Sequence, residues 1–208
     1  MTTYAGPPAT LATARPHVLD VSAHFDTTGL TAPDALGDGA FNVWSNTFPA
    51  DELPAPGSLV DVHGLPFAFP ATGENGRDNL RCARQLIDVP AGRYDFIHVL
   101  AAAERRTEDE VHLHYTDGAI DPEWLRVSDF WPQTPSRFGE RAAYTCSALH
   151  YPRHIQRNMA PAIWRQRIAV PRESELRAIR LPDNPAIHIF AITLQPSLLI
   201  PATSESVL

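Results

Sequence analysis

Apolar and polar positions along this chain alternate in short runs and almost never recur at the spacing of a helix face. The runs "HVLDVSAHF" (17–25), "AFNVW" (40–44), "SLVDVHG" (58–64), "PFAFP" (66–70), "NLRCARQLIDV" (79–89) and "YDFIHVLAAA" (94–103) read as strands. So do "DEVHLHYTD" (109–117), "LRVSDFW" (125–131), "RAAYTCSALHY" (141–151), "AIWRQRIAV" (162–170), "ELRAIRL" (175–181) and "AIHIFAITL" (186–194). They are rich in β-branched and aromatic residues and several are bounded by proline or glycine turns, with 20 prolines breaking the chain into short pieces. The pattern predicts an all-β fold, an antiparallel two-sheet β-sandwich of jelly-roll type with little helix. One domain is expected over residues 17–195, between a mobile N-terminal tail (1–16) and a C-terminal tail (196–208) rich in Pro, Ala, Ser and Thr.

Composition narrows the function classes. A chain of 208 residues, 44% hydrophobic and 20% charged, can bury a core of ordinary size. Its formal charge is −7 and every basic side chain apart from histidine is arginine, so a phosphate-backbone binder is not expected and nucleic acid is not an expected partner. No apolar run approaches the roughly 20 residues that span a bilayer. The opening residues also lack the basic-then-apolar order of a secretory signal, which predicts a cytoplasmic protein without a membrane partner. Cys82 and Cys146 are then expected as reduced thiols rather than a disulfide. Without lysine there is no Schiff-base chemistry, and no G-x-S-x-G elbow, P-loop or C-x-x-C pair occurs. "TGENGRDN" (72–79) opens no helix and reads as a surface turn, not a phosphate cradle.

"VHLHYTDG" (111–118) carries the most suggestive chemistry. Strand alternation puts His112 and His114 on one face and Val111, Leu113 and Tyr115 on the other, so the histidines face either solvent or a concave hollow. A His-x-His pair is also how a cupin strand offers two imidazoles to a metal. The expected third ligand is missing at a recognisable spacing, so no metal and no other cofactor is expected.

His98 in "DFIHVL" and His188 in "AIHIFAI" sit in strands apolar on both faces. Alternation groups His98 with Phe96 and Leu100, and His188 with Phe190 and Ile192. Such strands need a cover over the second face: a loop, another subunit or a ligand. A pocket between the sheets would bring Tyr115, His98 and His188 forward as catalytic candidates, whereas one on a concave outer face would favour His112 with His114. "SALHYPRHIQRNMAPAIWRQR" (147–167) adds His150, Tyr151, Arg153, His154, Arg157, Trp164 and Arg165 as a group able to bind a ligand or move a proton. "FNVWSN" and "VSDFW" offer Trp44 with Asn46, and Asp129 with Trp131, as aromatic platforms beside polar partners.

The segments "TFPADELPAPGSLVDVHGLPFAFP", "GRDNLRCARQLIDVPAGRYDFIHVLAAAE", "VHLHYTDG", "VSDFW" and "LRAIRLPDNPAIHIFAITL" together resemble the galactose-binding-like jelly-roll accessory domains of bacterial glycoside hydrolases, over about residues 20–195. The resemblance implies a β-sandwich and a carbohydrate-binding role. Three readings follow. The chain is a small-molecule-pocket protein, a cofactor-free cyclase or isomerase of a specialised, polyketide-like metabolite; or a carbohydrate-binding module; or a cupin-like metal enzyme using His112 and His114. A small-molecule ligand or substrate is the expected partner, and a homodimer is a further one.

Overall fold

The doubly apolar run at 94–103 is the middle of the larger of two facing sheets. The structure is a computed structural model that describes residues 15–71, 76–131 and 134–197. The expected tails over 1–14 and 198–208, and part of the "TGENGRDN" turn, lie outside the described residues.

In chain order the strands are β1 (His17–Leu19), β2 (Leu30–Thr31), β3 (Phe48–Pro49), β4 (Leu59–Val62), β5 (Leu65–Ala68), β6 (Leu80–Arg81), β7 (Leu86–Gly92) and β8 (Tyr94–Ala103). They continue with β9 (Thr107–Tyr115), β10 (Ile120–Val127), β11 (Arg141–Thr145), β12 (Ala148–Tyr151), β13 (His154–Arg157), β14 (Ala162–Ala169), β15 (Leu176–Arg180) and β16 (Ile187–Pro196). Helix is confined, among the described residues, to short 3-10 turns at Ser22–His24, Leu36–Asp38 and Ala50–Glu52. None is long and apolar enough to cross a membrane.

One sheet runs β1-β16-β8-β14-β11 with β6 also on β16, and the other runs β10-β9-β15-β7. Their strand pairs are antiparallel. The antiparallel sandwich predicted from alternation is therefore the fold. Pro122 sits in β10, an edge strand, where its missing N–H breaks no inner ladder.

Between the sheets lies one apolar core. It joins Ile97, Val99 and Ala101 of β8 with Ile189 and Ile192 of β16, and faces Val111, Leu113 and Tyr115 of β9. A second core lies on the outer face of the larger sheet, where Leu100, Ala102, Ile163 and Phe190 pack under Phe41, Phe48, Val62, Phe67, Phe130 and Leu149. The double apolarity of β8 and β16 is thus satisfied by the polypeptide itself, which folds residues 41–69 and 146–151 back over the sheet. At Gly39 this cover approaches so closely that a Cβ would collide with the Thr47 side chain and crowd Thr31. Glycine is required there by the approach, since its φ of −112° suits any residue.

Three local expectations are corrected. "AFNVW" is a turn rather than a strand, because the Asn42 side-chain oxygen accepts the backbone N–H groups of Trp44 and Asn46, and Ser45 adopts a φ of 54°. A register shift in β16 between Ile189 and Ala191 sends Ile192 into the inter-sheet core, so Ile192 does not share the face of His188 and Phe190. The stretch after Tyr151, where the alternation predicts no strand before Ala162, forms a hairpin, β12 with β13. Cys82 and Cys146 are free, buried in different cores, and burial pushes both thiols up, Cys146 to about 12.

Candidate functional site

The outer layer leaves a cleft where the larger sheet ends. It has a volume of about 450 Å³ and is lined by Asn42, Trp44, Asn46, Glu104, Arg105, Asp129, Phe130, Trp131 and Tyr151. These residues come from four stretches far apart in sequence, and each is held for a reason visible in the structure.

The turn at 42–46 is built on Asn42. Besides accepting two backbone N–H groups, it donates its amide to the Asn46 side-chain oxygen at 3.1 Å. That fixes Trp44 at the rim with its side chain largely in solvent, 58% exposed. Asn46 is buried and donates to the His150 carbonyl, which ties this turn to β12.

The chain after β10 crosses from the smaller sheet to the larger one. The Phe130 N–H donates to the Ala103 carbonyl and the Ala162 N–H to the Phe130 carbonyl. From the inter-sheet core, the Trp164 indole N–H donates to the Asp129 carbonyl at 3.1 Å. One Asp129 carboxylate oxygen accepts the Trp131 N–H at 3.0 Å, which sets the two side chains side by side at the cleft. Phe130 points inward, edge-on to Phe41, Phe48 and Trp131.

Glu104 and Arg105 follow directly from the end of β8, with Arg105 at a φ of 64°. Tyr151, at the end of β12, stacks on His154 with ring centroids 4.7 Å apart and planes within 8°. Among the described residues none of Glu104, Arg105 and Asp129 forms an ion pair. The cleft therefore offers two carboxylates and one guanidinium to an occupant, between aromatic walls.

Of the residues nominated from sequence, Trp44, Asn46, Asp129, Trp131 and Tyr151 converge here. His150 lies behind the wall, buried, with Nδ1 at 2.9 Å from the Thr31 hydroxyl, and that hydroxyl is bonded in turn to Thr47. Burial pushes its imidazole pKa down. Trp164 reaches the site only through the Asp129 carbonyl.

The remaining nominees are dispersed. Tyr115 is in the inter-sheet core with its hydroxyl unpartnered, and burial pushes its phenol up to about 12. His98 and His188 are on the far face of the larger sheet, so the three do not meet. His188 is buried beneath Phe41, with ring centroids 4.2 Å apart, and its Nδ1 lies 2.7 Å from the Asn79 side-chain oxygen. His98 holds Gln195 through Nε2 at 2.8 Å.

His112 and His114 lie on the outer face of the smaller sheet, His112 exposed and His114 buried. His112 borders a polar hollow of about 500 Å³ with Arg84, Asp109, Glu110, Arg180 and Asp183. No group of three or more His, Cys, Asp or Glu side chains is gathered in a metal-holding arrangement among the described residues.

Four cleft residues escaped the sequence reading: Phe130, Asn42, Glu104 and Arg105. The signal for the last two was "AAAERR", an apolar strand breaking abruptly into charge. For Asn42 it was the Asn-x-x-x-Asn frame around Trp44.

The fold, with its sandwich and added outer layer, is what the comparison with known families bears on. Residues 17–197 match the family described as the AziU2-like beta-sandwich domain. The chain belongs to that family. Membership hints at a protein related to specialised-metabolite biosynthesis. The match is to this β-sandwich family and does not confirm the glycoside-hydrolase accessory assignment. No curated protein matches the chain.

Proposed function

We propose that this AziU2-like domain binds a specialised metabolite in the aromatic cleft and promotes its cyclisation or isomerisation without a cofactor. The observation that supports this most is the convergence of Trp44, Trp131 and Tyr151 with three charged side chains, Glu104, Arg105 and Asp129, that have no ion-pair partner among the described residues. Aromatic walls hold a flexible chain in a reactive shape, which removes part of the entropic barrier to ring closure. A carboxylate, Asp129 or Glu104, takes the proton released as the internal bond forms, Arg105 stabilises the negative charge developing where the displaced electron pair settles, and the carboxylic acid then returns the proton to that position. Such a rearrangement moves a proton and bonding electrons within one molecule and needs no external oxidant or reductant.

A carbohydrate-binding role is the second reading, favoured by the exposed Trp44 ring at the rim of a cleft that carries carboxylates and a guanidinium. A thermal-shift panel of sugars and of apolar polyketide-like compounds separates the two, because a response to sugars alone would remove the metabolite reading. Trp44→Ala is the variant of choice. An exposed side chain leaves stability within about 0.5 kcal/mol, while loss of an aromatic anchor costs roughly 2 kcal/mol of binding, about 30-fold in Kd. Unchanged Kd in Trp44→Ala would place the ligand elsewhere.

A further inference from the structure

Away from the cleft, on the outer face of the larger sheet, positive charge gathers without a counter-charge. Arg141 of β11 and Arg165 of β14 are direct cross-strand partners, and Arg167, two residues further along β14, is the cross-strand partner of His98 on β8. Alternation therefore puts all four side chains on one face. With Gly139 and Gln166 they line a hollow of about 250 Å³.

No carboxylate comes within ion-pair distance of these three arginines among the described residues. The nearest charged neighbours are also unhelpful. His63 on the β4–β5 turn is pushed down by burial and by Arg141 and Arg165, and Asp61 turns its carboxylate to the Gly64 N–H. Glu140 is committed to the backbone N–H groups of Ser128 and Phe138. His98 is 4% exposed, burial and then the Arg165 and Arg167 charges push its imidazole pKa down, and with Nε2–H donating to Gln195 its Nδ1 offers no donor, so the floor of the hollow is neutral and the arginines alone carry its charge. Like charges placed directly opposite across strands oppose folding, and here they do so in a chain whose net charge is −7. An anion seated in the hollow would relieve that repulsion.

We infer that Arg141, Arg165 and Arg167 form a binding site for a phosphoryl-type oxyanion, either free phosphate or the phosphate group of a monoester. Guanidinium forks match the oxygens of such a group and charge-assisted bonds to it are strong. Arg165 is braced by reaching toward the Val62 and His63 carbonyls at 3.5 and 3.4 Å, and Arg167 lies over the Phe96 ring at 4.8 Å. Arg141 has no such tie and is the best position to change. The site is separate from the aromatic cleft and stands whether or not the cleft reading holds.

The test measures the unfolding midpoint of the full chain at constant ionic strength in chloride, with inorganic phosphate, and with glycerol phosphate. Phosphate should raise the midpoint of the unmodified protein in a saturable way. Arg141→Gln should weaken the apparent phosphate Kd about tenfold or more. In phosphate-free, low-salt buffer the same variant should be at least as stable as the unmodified protein, since a repulsive neighbour has gone. A purely structural arginine would give the opposite result. Arg167→Gln supplies a second variant with the same expected loss of response. A tighter response to glycerol phosphate than to phosphate identifies a monoester as the source, and a response to phosphate alone identifies the free ion. No stabilisation by either anion beyond chloride, or an undiminished response in both variants, overturns the site.

Discussion

Phe130→Ala is expected to lower the stability of the fold by about 3–5 kcal/mol, the range for removing a large aromatic side chain from a packed core. Phe130 is 2% exposed and its ring meets Phe41 at 5.0 Å, Phe48 at 5.8 Å and Trp131 at 5.9 Å between centroids. Edge-to-face pairs of this kind add to simple burial. The residue joins the second core to the cleft, so the substitution both opens a cavity under the larger sheet and removes the support of Trp131. Against a typical stability of about 5–15 kcal/mol this is a large fraction. Urea unfolding reads it as a lower midpoint with a near-constant slope. A loss below about 1 kcal/mol would mean that the outer layer does not pack on the sheet as described.

The stability difference between the unmodified protein and His188→Asn is expected to shrink by about 3 kcal/mol when the pH is lowered from 6.5 to 4. Burial first, then the Arg81 charge, pushes the His188 imidazole down from its ordinary 6.5 to about 3. Below pH 6.5 the unfolded chain takes up a proton that the native state refuses, so stability present above that pH is progressively lost on acidification. One pH unit in this window is worth about 1.4 kcal/mol. Asn79 accepts at its side-chain oxygen from His188 and donates to buried Asp78. Burial pushes the Asp78 carboxyl from 3.8 up to about 6, despite bonds from Asn79, Gly29 and Leu30. Its effect has the opposite sign: the native state gains a proton between about pH 6 and 4 that the unfolded chain does not, which stabilises the fold on acidification. The two contributions offset in the unmodified protein, and the asparagine variant, which retains a donor toward Asn79 but cannot titrate, leaves the Asp78 contribution alone. A difference that is constant with pH would show that His188 is not held neutral in the core.

The sandwich was readable because alternation is a direct record of which face of a strand is buried. "DEVHLHYTD" illustrates this, with Val111, Leu113 and Tyr115 in the core and His112 outward. The double apolarity of "YDFIHVLAAA" and "AIHIFAITL" was equally readable, and it did imply a cover. What covers them was not readable, since the layer is assembled from segments as distant as Phe41 and Leu149, whose meeting depends on tertiary packing. The same distance explains the site. Trp44 with Asn46, Asp129 with Trp131, and Tyr151 were nominated from separate segments by residue type, while their convergence with Glu104 and Arg105 depends on the crossing after β10 and on the Asn42 turn. His188 was misgrouped with Ile192 because a bulge leaves no mark in an apolar run.

The central claim is that the aromatic cleft is where a small molecule binds, and the chain carries reporters for it. Its 4 tryptophans occupy different surroundings: Trp44 and Trp131 line the cleft, Trp164 is in the inter-sheet core, and Trp124 lies on the edge strand β10, 47% exposed. The measurement is a titration of the indole N–H resonances with the compound from the sugar and polyketide-like panel that stabilises the protein most. The expected result is saturable movement of Trp44 and Trp131 with Trp124 unmoved. Movement of Trp124 with Trp44 and Trp131 unchanged would contradict the assignment of the cleft.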